Sequence, residues 1–293
     1  MIIKTIQDVL ASGTAYLQAR GIEGARSSMQ AMLAHVLGKD RTWLYLHAED
    51  AVSEAALAPL RELLRARGQG TPLQHLLGSV EFYRREFRTD ARALIPRPET
   101  EELVELALAR APRREGLRVL DMGCGSGVIG ITLALELKAL RPEVTLVDIS
   151  PAALSLALEN ATSLGARVRT YASDLFAAWA PADEDDTRLI PPTPYDLVLA
   201  NLPYVPEGEQ LATEVQHDPP TALFGGEDGL ALIRGFLADA TPHLAPGALV
   251  MLEVGHDQGA AVADLMKTGG FDRVEILADM SGKSRFPIGY VLP

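Results

Sequence analysis

The sequence predicts an α/β protein in which a small helical bundle and a β-hairpin precede a mostly parallel sheet with helices on both faces. Apolar residues recur at helical spacing from about Thr5 to Arg67, and they alternate with charged residues between Leu76 and Leu94. From about Thr100 onward, helical and strand patterns alternate, which favours a parallel sheet because each connecting helix packs back onto it. We therefore expect a helical domain, a hairpin linker and a sheet domain, over residues 1–75, 76–95 and 96–293.

The composition excludes several classes of protein. Of the 293 residues, 47% are hydrophobic, which is enough for a core of ordinary size. The formal net charge is -12, so no broad positive field holds a nucleic-acid backbone, and no direct nucleic-acid partner is expected. The single cysteine, Cys124, rules out an intramolecular disulfide and a multi-cysteine metal cage, and no metal is expected. No apolar run approaches the roughly 20 residues that span a bilayer, so we expect a cytoplasmic protein without a membrane partner.

Three helices are expected in the bundle. The first two carry apolar stripes, and Gly38 marks the end of the second. The third runs from about Ser53 to Arg67, with its leucines facing inward and Arg61, Arg65 and Arg67 facing outward. The residues themselves leave open whether this bundle binds a partner or only adds packing mass.

The sheet domain is expected to contain at least six strands joined by helices. The strands are placed at residues 118–121, 144–148, 168–172, 197–200, 248–253 and 274–277. The helices are placed at residues 100–109, 127–137, 151–164, 229–240 and 259–266. A surface loop rich in proline and acid is expected over residues 183–194.

A glycine-rich segment follows the first of these strands. The run from Gly123 to Gly127 leads directly into a helix, and glycine lets a ligand approach the backbone at a helix N-terminus. This run predicts a nucleotide-type cofactor site. Gly125, Gly127 and Gly130 also have the spacing of a dinucleotide-binding loop, and a tight turn without a ligand is a third interpretation. No base flanks Cys124, which suits a small filler better than a nucleophile.

Two acids follow the next two strands. Asp148 ends the second strand, where a carboxylate accepts hydrogen bonds from both ribose hydroxyls of either cofactor type. After the third strand, Asp174 is placed to accept from an adenine amine while its neighbour Leu175 packs against the ring. The respective alternatives are an exposed strand-end acid and a turn cap.

The turn after the fourth strand distinguishes methyl transfer from hydride transfer. It reads Asn201-Leu202-Pro203-Tyr204 and resembles the Asn-Pro-Pro-Tyr signature of amide and amino methyltransferases. An amide nitrogen has its lone pair tied up in resonance, so its two hydrogens need acceptors while the lone pair is aimed at a methyl group. The Asn201 oxygen and the carbonyl of Leu202 are the expected acceptors. Pro203 makes the turn rigid and Tyr204 stacks on the planar group, so catalysis consists of positioning and electrostatics without an ionised base.

Several runs across the chain resemble the release factor glutamine N5-methyltransferase family (PrmC/HemK). The most characteristic is the run from Leu94 to Glu101, which reads Leu-Ile-Pro-Arg-Pro-Glu-Thr-Glu. The other similar runs are residues 71–78, 218–230, 253–258 and 279–285.

The resemblance implies a Rossmann-like class I S-adenosylmethionine-dependent methyltransferase domain behind a helical domain that docks the partner. The implied reaction methylates the glutamine in the Gly-Gly-Gln motif of class-one peptide chain release factors and leaves S-adenosylhomocysteine. The loop from Arg97 to Thr100 would cover the methionine side of the cofactor. The implied cofactor contacts are Gly123, Cys124, Gly125, Ser126, Gly127, Asp148, Asp174, Leu175 and Asn201. The implied catalytic residues are Asn201, Leu202, Pro203 and Tyr204.

The chain departs from the family pattern at two positions. Leu202 stands where the family usually has proline, which keeps the carbonyl acceptor but loosens the backbone. Leu175 stands where some relatives carry an aromatic residue beside the adenine. We expect activity to survive both changes.

Three other functions are compatible with parts of the pattern. An adenine N6-methyltransferase acting on nucleic acid needs nearly the same turn, but no basic, aromatic-rich face is apparent for its target. A nicotinamide-dependent dehydrogenase fits the glycine run and leaves residues 201–204 unexplained. A third alternative is a partner-binding protein whose site has degenerated at Leu202.

Overall fold

The computed structural model describes residues 4–180 and 190–292. It contains two compact units. The first comprises Met1–Ser79 and Leu211–His217, and the second comprises Val80–Gln210 and Asp218–Pro293. Most of the loop expected over residues 183–194 lies outside the described residues. Within the described part of the chain, no helix combines the length and apolar character needed to cross a membrane.

The first unit is helical, as the sequence predicts. Its helices are α1 (Ile6–Gln18), α2 (Ala25–Leu37), α3 (Arg41–Leu46), α4 (Glu54–Gly68) and α5 (Leu73–Leu77). Thr5 and Asp8 form a capping box at the start of α1, and Ser53 caps α4. Gly38 ends α2 in the left-handed conformation, as expected. The helices α3 and α5 were not predicted, because five or six residues carry too little periodicity.

Arg67 corrects the prediction that the arginines of α4 face outward. Its side chain is buried, with 3% of the residue exposed. The guanidinium donates to the carbonyl of Thr71 at 3.0 Å and pairs with the carboxylate of Glu214 at 2.6 Å. These partners compensate the burial of the charge. Helical periodicity did not reveal this arrangement because Glu214 is 147 residues further along the chain.

The expected hairpin is formed by β1 (Ser79–Phe82) and β2 (Arg85–Arg88). Tyr83 and Arg84, which join the strands, both have positive φ, as a tight hairpin turn requires. Phe82 and Phe87 are buried and meet edge to face, with ring centroids 5.9 Å apart. Both rings pack into the core of the second unit.

The second unit contains a seven-stranded sheet, which confirms the predicted α/β class. Its strands are β3 (Arg118–Met122), β4 (Glu143–Asp148), β5 (Val168–Ala172), β6 (Tyr195–Ala200), β7 (Leu244–Leu252), β8 (Asp272–Ala278) and β9 (Ser284–Tyr290). Its helices are α6 (Pro98–Arg110), α7 (Val128–Glu136), α8 (Pro151–Leu164), α9 (Ala231–Ala240) and α10 (Gly259–Thr268). The strand order is β5-β4-β3-β6-β7-β9-β8. Only β9 was not predicted, and it pairs antiparallel with β7 and β8.

The strand order positions the site. The chain passes from β3 through β4 to β5 on one side, then returns to place β6 on the other side of β3. This reversal leaves a crevice outside the carboxyl ends of β3 and β6, where ligands bind in open α/β sheets. All six residues of β6 are buried because helices cover both faces of the sheet. One hydrophobic cluster contains residues of α6, α7 and α8, and a second contains residues of α9 and α10.

Candidate active site

A cavity of about 320 Å³ lies at the carboxyl ends of β3, β4, β5 and β6. It brings together most of the site residues predicted from the sequence. Those that line it are Gly123, Cys124, Gly125, Ser126, Asp148, Asp174, Leu175, Asn201, Leu202 and Pro203. Gly127 and Tyr204 are not part of its wall. Gly127 instead forms the N-cap of α7.

Glycine is needed for geometric reasons both in the glycine-rich turn, at Gly123, and in the helix that follows it, at Gly130. Gly123 has φ +70°, and a Cβ there would lie 2.8 Å from Cδ2 of Leu202. In α7, a Cβ on Gly130 would lie 2.2 Å from Cδ2 of Leu146, so the helix packs closely on β4. The first glycine therefore leaves room for the side chain of Leu202. Leu202, which stands where the family usually has proline, therefore packs directly against the glycine turn.

Asp121 lies buried beneath this turn. Its Oδ2 accepts a hydrogen bond from the Gly130 N–H at 2.8 Å, whereas Oδ1 has no hydrogen-bond partner in the described part of the chain. Burial, with a smaller contribution from the charge of Asp148, raises the pKa of Asp121 to about 7 against the opposing effect of the Gly130 N–H. The hydrogen bond between Asp121 and Gly130 therefore joins β3 to the first turn of α7, but the carboxyl that makes it is poorly solvated.

Asp148 ends β4 and faces the cavity. Its Oδ2 accepts from the Gly125 N–H and its Oδ1 accepts from the Ser150 N–H, both at 2.8 Å. Burial raises the pKa of this carboxyl, although the backbone donors oppose the effect. A carboxylate oxygen has more than one acceptor site, so both oxygens keep capacity for ligand hydroxyls. Asp148 thus fixes the glycine turn and presents acceptors to the cavity at the same time.

Cys124 is buried in the wall of the cavity. Burial raises the pKa of its thiol well above the ordinary value, and the charges of Asp121 and Asp148 act in the same direction. The thiol therefore stays protonated near neutral pH, and a thiol is a poor nucleophile. This favours the interpretation of Cys124 as a small filler.

The turn after β5 presents Asp174 and Leu175 to the cavity. Leu175 has φ +46°, a conformation that is rare for a side chain of its size. The Ser173 hydroxyl stabilises the turn, because it donates to the carbonyl of Leu175 at 2.8 Å and accepts from the Ala178 N–H at 2.9 Å. The cap of this turn is therefore Ser173, which the sequence analysis had not singled out.

The turn from Asn201 to Tyr204 is held from two other segments. The Gln258 amide donates to the carbonyl of Tyr204 at 2.9 Å, and its oxygen accepts from the Gly255 N–H. Val205 forms a parallel bridge with Phe224. Both segments belong to runs that resemble the family, residues 218–230 and 253–258. Sequence reasoning gave Gln258 no role, since only its place in such a run marked it.

The run that begins at Leu94 is joined to the same region through Asp218. The buried carboxylate of Asp218 accepts from the Ile95 N–H at 3.1 Å and pairs with Arg97 at 2.8 Å. Thr100, in the first turn of α6, accepts a hydrogen bond at 3.2 Å from Nδ2 of Asn201. The most characteristic run of the sequence therefore contacts both the 218–230 segment and Asn201.

Glu253 is a buried acid beside this turn that the sequence analysis did not assign. Burial, with a smaller contribution from the charge of Glu99, raises its pKa to about 7 against the opposing effects of Thr100, Arg285 and Asn201. Burial also raises the pKa of Tyr204, and the charge of Glu253 contributes in the same direction. The carboxyl end of β7 therefore carries a titratable group next to Asn201.

Comparisons with known proteins agree with this architecture. Residues 8–78 match the family described as PrmC N-terminal domain, and residues 102–279 match the Methyltransferase small domain. The release factor glutamine methyltransferase of Deinococcus radiodurans is 38% identical over 285 residues, covering 96% of each chain. That of Cereibacter sphaeroides is 38% identical over 283 residues, covering 95% of each chain.

A solved structure also resembles the fold. The methyltransferase from Pyrococcus furiosus aligns with a TM-score of 0.50 and 16% identity, over 71% of this chain and 89% of that one. Together with the strand order, the matched domain identifies the sheet unit as a class I methyltransferase fold. The helical segment, the sheet unit and the near full-length relatives lead to one conclusion: the chain belongs to the release factor glutamine methyltransferase family.

Proposed function

We propose that this protein transfers a methyl group from S-adenosylmethionine to the side-chain amide nitrogen of the glutamine in the Gly-Gly-Gln motif of class-one peptide chain release factors. The observation that carries the proposal is the position of Asn201. It directly follows β6 and lines the cavity, and its Nδ2 donates a hydrogen bond to Oγ1 of Thr100. Its oxygen is thereby left to accept a substrate N–H. The names of the relatives support the choice of substrate.

The residues around the cavity suit S-adenosylmethionine. Gly123 and Gly125 bring bare backbone to the wall, and Asp148 offers acceptors for ribose hydroxyls. Leu175 and Ile149 provide apolar surface for an adenine ring, with Asp174 beside them as an acceptor for its amine. When bound, the cofactor supplies a methyl group on a positively charged sulfur.

The turn residues orient the substrate nitrogen. The Asn201 side-chain oxygen and the Leu202 carbonyl accept the two amide hydrogens, which directs the lone pair away from them. Holding the reacting groups in this way replaces an encounter in solution by an oriented reaction. Pro203 restricts the backbone. Tyr204 follows it directly and, although it is not part of the cavity wall, is proposed to contact the planar amide of the bound substrate. The methylated nitrogen is acidic, so its extra proton passes to water without a dedicated base.

The helical domain, residues 1–75, is proposed to dock the release factor, with the hairpin linker at residues 76–95 and the catalytic domain at residues 96–293. The cytoplasmic location expected from the sequence belongs to the same proposal, since release factors act there.

Replacing Asn201 by alanine tests the proposed role of the turn. We expect methyl transfer to a release factor to fall by about 100- to 1,000-fold, as for removal of one preorganised polar group. The affinity for S-adenosylhomocysteine, measured by calorimetry, should fall far less than methyl transfer, because Asn201 is only one of the implied cofactor contacts. A release factor whose Gly-Gly-Gln glutamine is replaced by glutamate serves as the control and should take up no methyl group. Undiminished turnover in the Asn201→Ala variant would exclude the orienting role.

A further inference from the structure

Glu253 and Asn201 are neighbours at the carboxyl ends of adjacent parallel strands. In the register of β6 and β7, Ala200 pairs with Leu252, and the Glu253 N–H donates to the Ala200 carbonyl at 3.0 Å. Only 1% of Glu253 is exposed, and it is not in the wall of the cavity. Glu253 is therefore placed to act on Asn201 rather than on a ligand.

Glu253 and Thr100 are buried, and they form a polar cluster with the half-buried Asn201. Nδ2 of Asn201 donates to Oγ1 of Thr100 at 3.2 Å. Thr100 and Asn201 both stabilise the charged form of Glu253 by hydrogen bonding. Its Oε2 is buried and has no hydrogen-bond partner among the described residues. In its ionised form this carboxyl accepts hydrogen bonds and donates none.

The chemistry of the cluster sets the direction of each hydrogen bond. A threonine hydroxyl has a single proton, and a neighbouring carboxylate takes it because a charged acceptor is the stronger one. The Thr100 oxygen is then left as an acceptor, and only the NH₂ end of Asn201 satisfies it. The amide oxygen of Asn201 must consequently point the other way.

We infer that Glu253 and Thr100 are positioning residues that hold the Asn201 amide with its oxygen toward the substrate. The inference rests on the proposed function, in which that oxygen accepts a substrate N–H. Without the ionised carboxylate, the Thr100 hydroxyl is free to donate to Asn201. The Asn201 amide is then no longer held in one orientation. In the flipped form its NH₂ group presents two donor hydrogens to a substrate amide that is itself a donor.

The state of Glu253 depends on the charged groups around it. Glu99 on α6 and Tyr204 after β6 face it, as does Arg285 on β9. Because burial raises the pKa of Glu253 to about 7, the carboxylate becomes populated as the pH rises through neutrality. Turnover should therefore rise over this range in the wild-type protein.

The variants Glu253→Gln and Thr100→Val test the inference in the full-length protein, with Glu275→Gln, at an exposed position on β8, as the matched control. With a release factor and S-adenosylmethionine as substrates, we expect the first two to lower kcat by about 10- to 100-fold and the Glu275→Gln variant to stay near wild type. The rising limb of kcat near neutral pH should disappear in Glu253→Gln. In the Asn201→Ala background, Glu253→Gln should add no further loss, because its effect passes through Asn201.

A second readout does not depend on turnover. In protein with ¹⁵N-labelled asparagine side chains, the Asn201 NH₂ signals, assigned with the Asn201→Ala variant, should shift with pH near neutrality. They should stop shifting in Glu253→Gln. If the wild-type protein is active and neither Glu253→Gln nor Thr100→Val lowers kcat, the positioning role is refuted. It is also refuted if the Asn201 NH₂ signals respond to pH in the same way in the wild-type protein and in Glu253→Gln. If the pH-dependent shift of the Asn201 signals is lost in Glu253→Gln but the wild-type protein does not methylate glutamine, the coupling between Glu253 and Asn201 is supported and the proposed function is rejected.

Discussion

Replacing Asp121 by asparagine should stabilise the protein more at pH 8 than at pH 5. The buried carboxyl has a pKa of about 7 in the folded protein, against an ordinary value of 3.8. The unfolded chain therefore loses this proton first as the pH rises, and the folded state is progressively destabilised between those two values. Below that range the carboxyl is protonated in both states and has no such effect.

The size of the effect follows from the same values. A rise in pKa from 3.8 to about 7 corresponds to about 4 kcal/mol of lost stability at high pH. Of this, about 2 to 3 kcal/mol should develop between pH 5 and pH 8. Asparagine keeps an oxygen for the Gly130 N–H and places an NH₂ group where Oδ1 now lacks a partner. The free-energy cost of burying this NH₂ group is independent of pH. The difference between the effects of the substitution at pH 8 and at pH 5 therefore reports on the carboxyl alone.

The assay is urea unfolding of the wild-type and Asp121→Asn proteins at both pH values. Asp264→Asn is the matched control, because it removes one negative charge from an exposed position on α10. We expect the gain in the free energy of unfolding for Asp121→Asn to be larger by about 2 to 3 kcal/mol at pH 8 than at pH 5. If Asp121→Asn changes the free energy of unfolding equally at pH 5 and pH 8, or destabilises the protein more at pH 8, the buried charge of Asp121 is not destabilising.

Three other perturbations test separate parts of the structure. Asp148→Ala should weaken binding of S-adenosylhomocysteine by at least about 30-fold in calorimetry, because it removes the ribose acceptor and frees the Gly125 and Ser150 N–H groups. Unchanged affinity would show that the ribose assignment is wrong. Arg67→Met should lower the free energy of unfolding by about 1 to 3 kcal/mol, since it removes the buried pair with Glu214, whereas the exposed Arg65→Met should have little effect. Equal effects of the two substitutions would contradict the buried role. Deleting residues 1–70 should reduce release-factor affinity more than cofactor affinity, and equal loss of both would mean that the helical domain is only structural.

Local patterns in the sequence were sufficient to predict most of the secondary structure. The strand that precedes Asn201 could be predicted because a buried central strand is a short apolar run bounded by a turn. The glycine turn could also be predicted from the sequence, because its function requires glycine at fixed spacing. The hairpin followed from alternation between apolar and charged residues.

Features that depend on contacts distant in sequence were not predictable in this way. Arg67 looked like an exposed helix residue because its partner Glu214 belongs to a remote segment. Asp218 and Glu253 stood in runs that resemble the family, but nothing local indicated that they contact Ile95 and Asn201 respectively. The strand β9 is antiparallel and contains a proline, which weakened its pattern.

The central claim is that the Asn201 turn directs a methyl group onto an amide nitrogen of a release factor. The most direct test incubates the wild-type protein with methyl-labelled S-adenosylmethionine and a class-one release factor, with duplex DNA in a parallel reaction, and maps the modified peptide by mass spectrometry. We expect a single methyl group on the glutamine of the Gly-Gly-Gln motif and no label in the DNA. Cofactor binding without that methyl group, or label transferred to adenine in the DNA, would contradict the proposed function.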